Sequence, residues 1–181
     1  DLRKRALPYL EELYISTNET ISLYILQGND RICVERLESA QTVRIVARIG
    51  RRLPLYAGSA GKAMLAYLPK DHLREILPSM KMEPLTPNTI TDRSQLENEL
   101  ITIRKQGYAV SRGEWIADAS GIAAPIFDQF NEPVGAISIS GPTQRFNNRV
   151  IEQFTPSIIR AAVAISRDMG YRGPFPPKLM E

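Results

Sequence analysis

The stretch Arg51–Leu68, RRLPLYAGSAGKAMLAYL, constrains the fold more than any other part of the chain. An arginine pair and Pro54 lead into four small residues, Gly58, Ser59, Ala60 and Gly61. These open directly onto an apolar helical pattern carrying Ala63, Met64, Leu65, Ala66 and Leu68. The first turn of a helix has backbone N–H groups without intrahelical partners, and its dipole favours negative charge. Small residues in front of it let a ligand approach the backbone. The stretch therefore predicts a helix entrance able to receive a small anion. It is not a phosphate loop, since Tyr56 stands where that pattern needs its first glycine and Ala63 where it needs Ser or Thr.

Two similar halves flank this element. Residues 1–19 read as a charged helix with Leu10 and Leu13 on one side and Pro8 in its first turn or at a kink. Such a helix is either a connector from a preceding domain or a plain core helix. TISLYILQ at 20–27, the turn Gly28-Asn29-Asp30 and the run Arg31–Leu37 predict a hairpin from composition and spacing. The alternation from Val43 to Ile49 predicts a third strand. After Leu68 come a short helix at Asp71–Leu77 and a proline-rich segment, 78–91, which either covers a pocket or simply connects. Asp92 and Gln95 form a capping-box pattern before a helix with Leu96, Leu100 and Ile103 inward, and Gly107 ends it. Three more strands follow at 108–111, 121–127 and 133–140. A long helix then runs from Asn148 to Met169, and the proline-rich tail YRGPFPPKLME is expected to hang loosely or pack late. No strand–helix–strand crossover with dinucleotide spacing occurs, so the fold class predicted is α/β of the α+β kind. Its core is an antiparallel six-stranded sheet with helices on its faces.

Strand periodicity adds a second clue about where a ligand sits. Ile137 and Ile139 point one way, and Ala136, Ser138 and Ser140 the other; Ile122, Ala124 and Ile126 oppose Gly121, Ala123 and Pro125. A face of Gly, Ala and Ser is hard to bury against a helix without leaving space. The alternative is tight packing that fills that space, with the serines bonded to backbone. Bulk placed at Ser138 or Gly61 is expected to block a ligand while sparing the fold.

The remaining chemistry is sparse. His72 is the single histidine and Cys33 the single cysteine, far apart in sequence, so neither a metal site nor a disulfide framework is expected. The nucleophile elbow G-x-S-x-G is absent, and no motif places a base beside Ser111, Ser138 or Ser140. Glu114 and Asp118, beside Trp115, are either pocket carboxylates or surface loop residues. Arg44, Arg48, Arg51 and Arg52 form a basic group that steers an anion, makes inter-subunit ion pairs or lies solvated on a strand edge. A net charge of +3 is too small for a duplex-binding surface. No apolar run spans a membrane and no signal peptide is visible, so no membrane contact and a cytoplasmic location are expected. The chain starts at Asp1 without an initiating methionine, which predicts either a processed product or a piece cut from a longer protein.

Six motifs in a fixed order carry a resemblance. They are ETISLYILQG at Glu19–Gly28, GRRLPLYAGSAGKAMLAYLP at Gly50–Pro69, TITD at Thr89–Asp92, IRKQGYAV at Ile103–Val110, GIAAPIFD at Gly121–Asp128 and AISISGPTQR at Ala136–Arg145. The chain resembles the effector-binding domain of the IclR family of bacterial transcriptional regulators across residues 1–170. The resemblance implies a GAF-like domain at 19–170, with 1–18 as connector helix and 171–181 as tail. It also implies a preceding winged helix-turn-helix domain, outside this sequence, through which alone DNA is bound. Homodimers or dimers of dimers, no catalytic residue, no cofactor and a small organic acid or aromatic effector are further implications. By resemblance the effector site comprises Gly58, Ser59, Ala60, Gly61, Ser111, Ala119, Gly121, Ser138 and Ser140. This sequence departs from the family in having Tyr56 where His is frequent, Ser111 where an acidic residue is frequent, and Gly121 where some members have Cys. Two other readings stand beside this one: a ligand-free dimerisation module, and an enzyme acting on small acids.

Overall fold

A computed structural model describes residues 1–43 and 48–178. Helix α1 (Leu2–Thr17) leads into strands β1 (Thr20–Gln27), β2 (Asp30–Leu37) and β3 (Arg52–Pro54). Helices α2 (Ser59–Leu65), α3 (Lys70–Ser79) and α4 (Arg93–Gln106) follow. Strands β4 (Ala109–Arg112), β5 (Ala119–Phe127) and β6 (Pro133–Pro142), a 3-10 turn at Thr143–Arg145 and α5 (Asn148–Asp168) complete the chain. The six strands form one sheet in the order β3-β2-β1-β6-β5-β4, with every neighbouring pair antiparallel. The two halves meet where β1 pairs with β6, which closes the sheet without a parallel crossover.

Sequence and structure agree where local chemistry is strong. Asp92 caps α4 through a bond from the Gln95 N–H (2.9 Å), and Gly107 ends it with φ 87°. Asn147 likewise caps α5 by accepting from Val150 N (3.0 Å). Pro8 and Pro156 lie inside α1 and α5.

One expectation is corrected, and another falls mainly outside the described residues. The strand predicted at Val43–Ile49 includes Arg44–Ala47, which lie outside the described residues. Val43 stands in a bend and Ile49 in a turn, both exposed, and the strand that pairs with β2 is the later Arg52–Pro54. The tail does not hang loosely over its described part, 171–178. Tyr171 is buried, and its ring and that of Phe175 pack on Phe127 with centroids 5.2 and 5.7 Å away. Phe127 ends β5 and needs that cover. Arg167 fixes the turn by donating to the carbonyls of Tyr171 (3.1 Å) and Gly173 (2.7 Å).

Pleating separates two cores. Ile21, Leu23, Ile122, Ala124, Ile126, Ile137 and Ile139 face α1 and α5, which supply Leu10, Leu13, Ile151, Ile158 and Ile165. The opposite face carries Tyr24, Cys33, Ala123 and Ala136 under α2, with α4 and Tyr171 packed behind. At the corner between the cores, Arg145 grips the buried Glu19 through Nε (2.9 Å) and Nη2 (2.8 Å). This two-pronged pair ties the exit of α1 to the turn between β6 and α5.

The buried tail yields the first prediction. Tyr171→Ala lowers the free energy of unfolding in urea by about 3 kcal/mol, the low end for a buried aromatic truncated to alanine. A loss of less than about 0.5 kcal/mol, usual for surface positions, would return the tail to a loose appendage.

Candidate functional site

Strand register assembles the small residues into rows. One row crosses the sheet as Thr20, Ser140, Gly121 and Ser111, and the next as Ser22, Ser138 and Ala123. Helix α2 lies across these rows, in contact with β5 and β6. Side chains this short do not reach the helix everywhere, and a cavity of about 180 Å³ remains near its first residues. Gly58, Ser59, Ala60, Ser111, Ala119, Gly121, Ser138 and Ser140 all line it.

Gly61 does not. A Cβ built there would lie 2.6 Å from the Leu55 carbonyl oxygen, so this glycine serves the close approach of α2 to the preceding loop. The expectation that bulk at Gly61 spares the fold is therefore corrected, because a larger side chain meets backbone. Gly58 has a different reason: its φ is 96°, and a Cβ would meet Arg31 Nη2 at 2.9 Å. At Gly121 a Cβ would stand 3.0 Å from Ile139 O and 3.3 Å from Ser59 Oγ, so bare backbone there leaves room between strand and helix.

The structure adds walls that the motifs did not single out. Tyr24, Arg31, Arg48, Arg51, Leu53, Trp115, Ile116 and Ser120 complete the lining. Arg31 is buried on β2; its Nε donates to Pro54 O (3.0 Å) and its Nη2 to Ala57 O (2.9 Å). Its guanidinium carbon lies 5.0 Å from the Tyr24 ring centroid and 5.7 Å from that of Trp115. Burial lowers its pKa, opposed by Tyr24, Cys33 and Glu114, yet an arginine at this depth stays charged. The signal was present in the sequence: Arg31 has the parity of Cys33, on the inward face of its strand. Of the basic group, Arg48 and Arg51 line the cavity, Arg52 pairs with Asp30 at 3.1 Å on the surface, and Arg44 lies outside the described residues.

Behind the cavity a buried ion cluster fixes α2. Lys62, wholly buried, reaches Glu99 of α4 (2.5 Å), Glu114 (2.8 Å) and the Val110 carbonyl (2.9 Å). Burial pushes the Glu114 carboxyl upward, while Lys62 pulls it back. Glu114 is thus neither a surface residue nor a lining one, and Asp118 is exposed. The proline-rich segment braces the same turn: Thr86 Oγ1 donates to Gly113 O, and Thr89 Oγ1 to Glu114 O (2.7 Å). It contributes nothing to the cavity wall. Cys33 is buried and His72 bonds Asn29 (3.0 Å). Among the described residues, no three His, Cys, Asp or Glu side chains gather as metal ligands. Nor is any helix of the described residues long and apolar enough to cross a membrane. Among the described residues, the lining holds no histidine and no carboxylate.

Residues 1–167 match the family profile described as bacterial transcriptional regulator IclR C-terminal. The chain belongs to the IclR family. It is 36% identical to the HTH-type transcriptional regulator KipR of Bacillus subtilis (strain 168), over 94% of this chain and 68% of KipR. The solved Thermotoga maritima IclR superposes with a TM-score of 0.92 at 35% identity, covering 94% of this chain and 69% of that one. An IclR homologue from Microbacterium hydrocarbonoxydans, solved in complex with 4-hydroxybenzoate, gives 0.82 at 32% identity, covering 93% and 68%. The family and its curated members are transcriptional regulators rather than enzymes. The chain spans about two thirds of the length of KipR and of the T. maritima IclR.

The Lys62 cluster gives the second prediction. Lys62→Met strands two carboxylates and costs about 3–5 kcal/mol of stability in urea unfolding. Adding Glu114→Met to that variant recovers much of the loss, because a well-packed apolar pair replaces a buried ion pair at little net cost. An unaltered midpoint in the single variant would contradict the role of the cluster. Gly61→Val supplies a third: overpacking against Leu55 lowers stability by at least about 1–3 kcal/mol, where wild-type unfolding would contradict the close approach.

Proposed function

We propose that this domain senses a small organic acid or aromatic compound and thereby sets operator binding by a winged helix-turn-helix domain joined through α1. The observation that carries the proposal is the open volume under α2, bounded by Ser59, Ser111, Ser138 and Ser140 and by aromatic and apolar walls. A pocket with an apolar body and a few convergent polar groups suits a small molecule. The effector site proposed comprises the eight small residues on the lining, without Gly61. The complex of the M. hydrocarbonoxydans homologue with 4-hydroxybenzoate supports an aromatic acid as one candidate class.

The connector role of residues 1–18 has physical support at both ends of α1. Arg3 pairs with Glu35 of β2 (2.7 Å), the strand that also carries Arg31, and Glu19 is held by Arg145. A ligand that favours one arrangement of this frame shifts the population of regulators able to bind DNA, provided its affinity for the two arrangements differs. The regulator works as a homodimer or a dimer of dimers, so that two DNA-reading domains are displaced together.

The test is operator affinity of the full-length protein across a panel of small aliphatic and aromatic acids at saturation. At least one acid changes affinity by about 5- to 150-fold, the usual range of coupling between sites. Operator affinity unmoved by every acid would contradict the proposal. In the isolated domain, Ser138→Leu fills the cavity and weakens binding of that acid at least tenfold by calorimetry, while the melting curve stays cooperative. Wild-type affinity in the folded variant would place the site elsewhere.

A further inference from the structure

The cavity wall holds a buried cation that no carboxylate among the described residues pairs with. Arg31 is 3% exposed, and both bonds that hold it go to neutral carbonyls, at Pro54 and Ala57. No carboxylate among the described residues pairs with it, and Glu114, which acts on it from a distance, is committed to Lys62. Its Nη1 has no hydrogen-bond partner among the described residues, and both Nη atoms lie beside Gly58 on the cavity wall. Among the described residues, the lining carries the arginines Arg31, Arg48 and Arg51 and no acidic residue.

A desolvated charge without a counterion is costly, and native proteins pair such groups or place them where a ligand completes them. Guanidinium suits a carboxylate in particular, because its planar fork matches two oxygens in one plane. Tyr24 and Trp115 stand over the guanidinium with their ring faces. They exclude water while leaving its charge unneutralised. Arg51 lies over the same indole, 5.9 Å from its centroid, so the approach to the cavity is also positive. The serine hydroxyls sit on the sheet and at the start of α2, where they can serve the uncharged end of a ligand.

We infer that Arg31 is the specificity-determining residue of this site and selects an effector bearing a carboxylate, whose oxygens take the free Nη1 edge between Tyr24 and Trp115. The inference rests on the sensing role proposed above and adds the group that reads the charge. A neutral carboxamide of the same shape leaves the guanidinium without an anion and binds weakly. A cationic ligand meets three arginines and is rejected.

The test pairs 4-hydroxybenzoate, pyruvate, glyoxylate and a set of larger aliphatic acids each with its primary amide, titrated calorimetrically into the 181-residue chain. The expected result is an acid preferred over its amide by about 10- to 100-fold, the value of a hydrogen bond to a charged group. Arg31→Gln and Arg31→Lys bring that ratio towards unity, whereas Ser138→Leu removes acid and amide alike. Because Arg31 also holds the 54–57 loop, a second measurement uses the wild-type protein labelled with nitrogen-15 arginine. In that protein the Arg31 side-chain resonances shift with the acid and stay in place with the amide. Equal affinity for acid and amide, or silent Arg31 resonances during acid binding, would overturn the inference while Ser138→Leu still marks the site. Binding by no compound, or binding unaffected by Ser138→Leu, would overturn the sensing role itself and this inference with it.

Discussion

Short side chains aligned across four strands are the constraint on which the site depends. Thr20, Ser140, Gly121 and Ser111 fall in one register row and Ser22, Ser138 and Ala123 in the next. A helix laid over such rows cannot fill the distance between backbones that larger residues would fill, because close packing needs atoms to occupy it. On the other face the same strands present Ile122, Ile126, Ile137 and Ile139, which interdigitate with α1 and α5. One set of strands therefore supplies a dense core and a hollow, and the two-residue period of the strand separates them.

Keeping that hollow open requires α2 to be held by something other than the floor of the cavity. Lys62 does this from behind, bonded to Glu99, Glu114 and the Val110 carbonyl in a site without water-exposed surface on its own side chain. Gly61 brings the helix against Leu55, and the proline-rich segment fastens the Gly113–Glu114 turn. Electrostatics then divides the region. The charge of Lys62 is answered by two carboxylates, whereas no carboxylate among the described residues pairs with Arg31. Lys62 of α2 and Arg31 of β2 thus differ in whether a carboxylate among the described residues reaches them, and the proposed ligand-reading role falls to Arg31.

Much of this was legible in the sequence because it is local. The Asp92 and Gly107 boundaries of α4, the β1–β2 turn, and the alternation of Ile with small residues in β5 and β6 all express chemistry within a few positions. The antiparallel sheet followed from the order of elements. What escaped was set by distant partners. The tail looks dispensable in the sequence because Phe127, which it covers, is more than forty positions away. Gly61 was read as part of a ligand loop although its neighbour is the backbone of Leu55. Arg31 was passed over because its meaning arises only when the loop before Gly58 folds across it.

The central claim is that the volume under α2 belongs to a ligand and not to the protein. A crystal structure of the domain grown with the acid that moves operator affinity tests it most directly. The account predicts that molecule between Ser59 and Ser138, with its carboxylate against Arg31. Trp115 and Ile116 folded inward to fill the space in every copy, with the acid elsewhere, would contradict it.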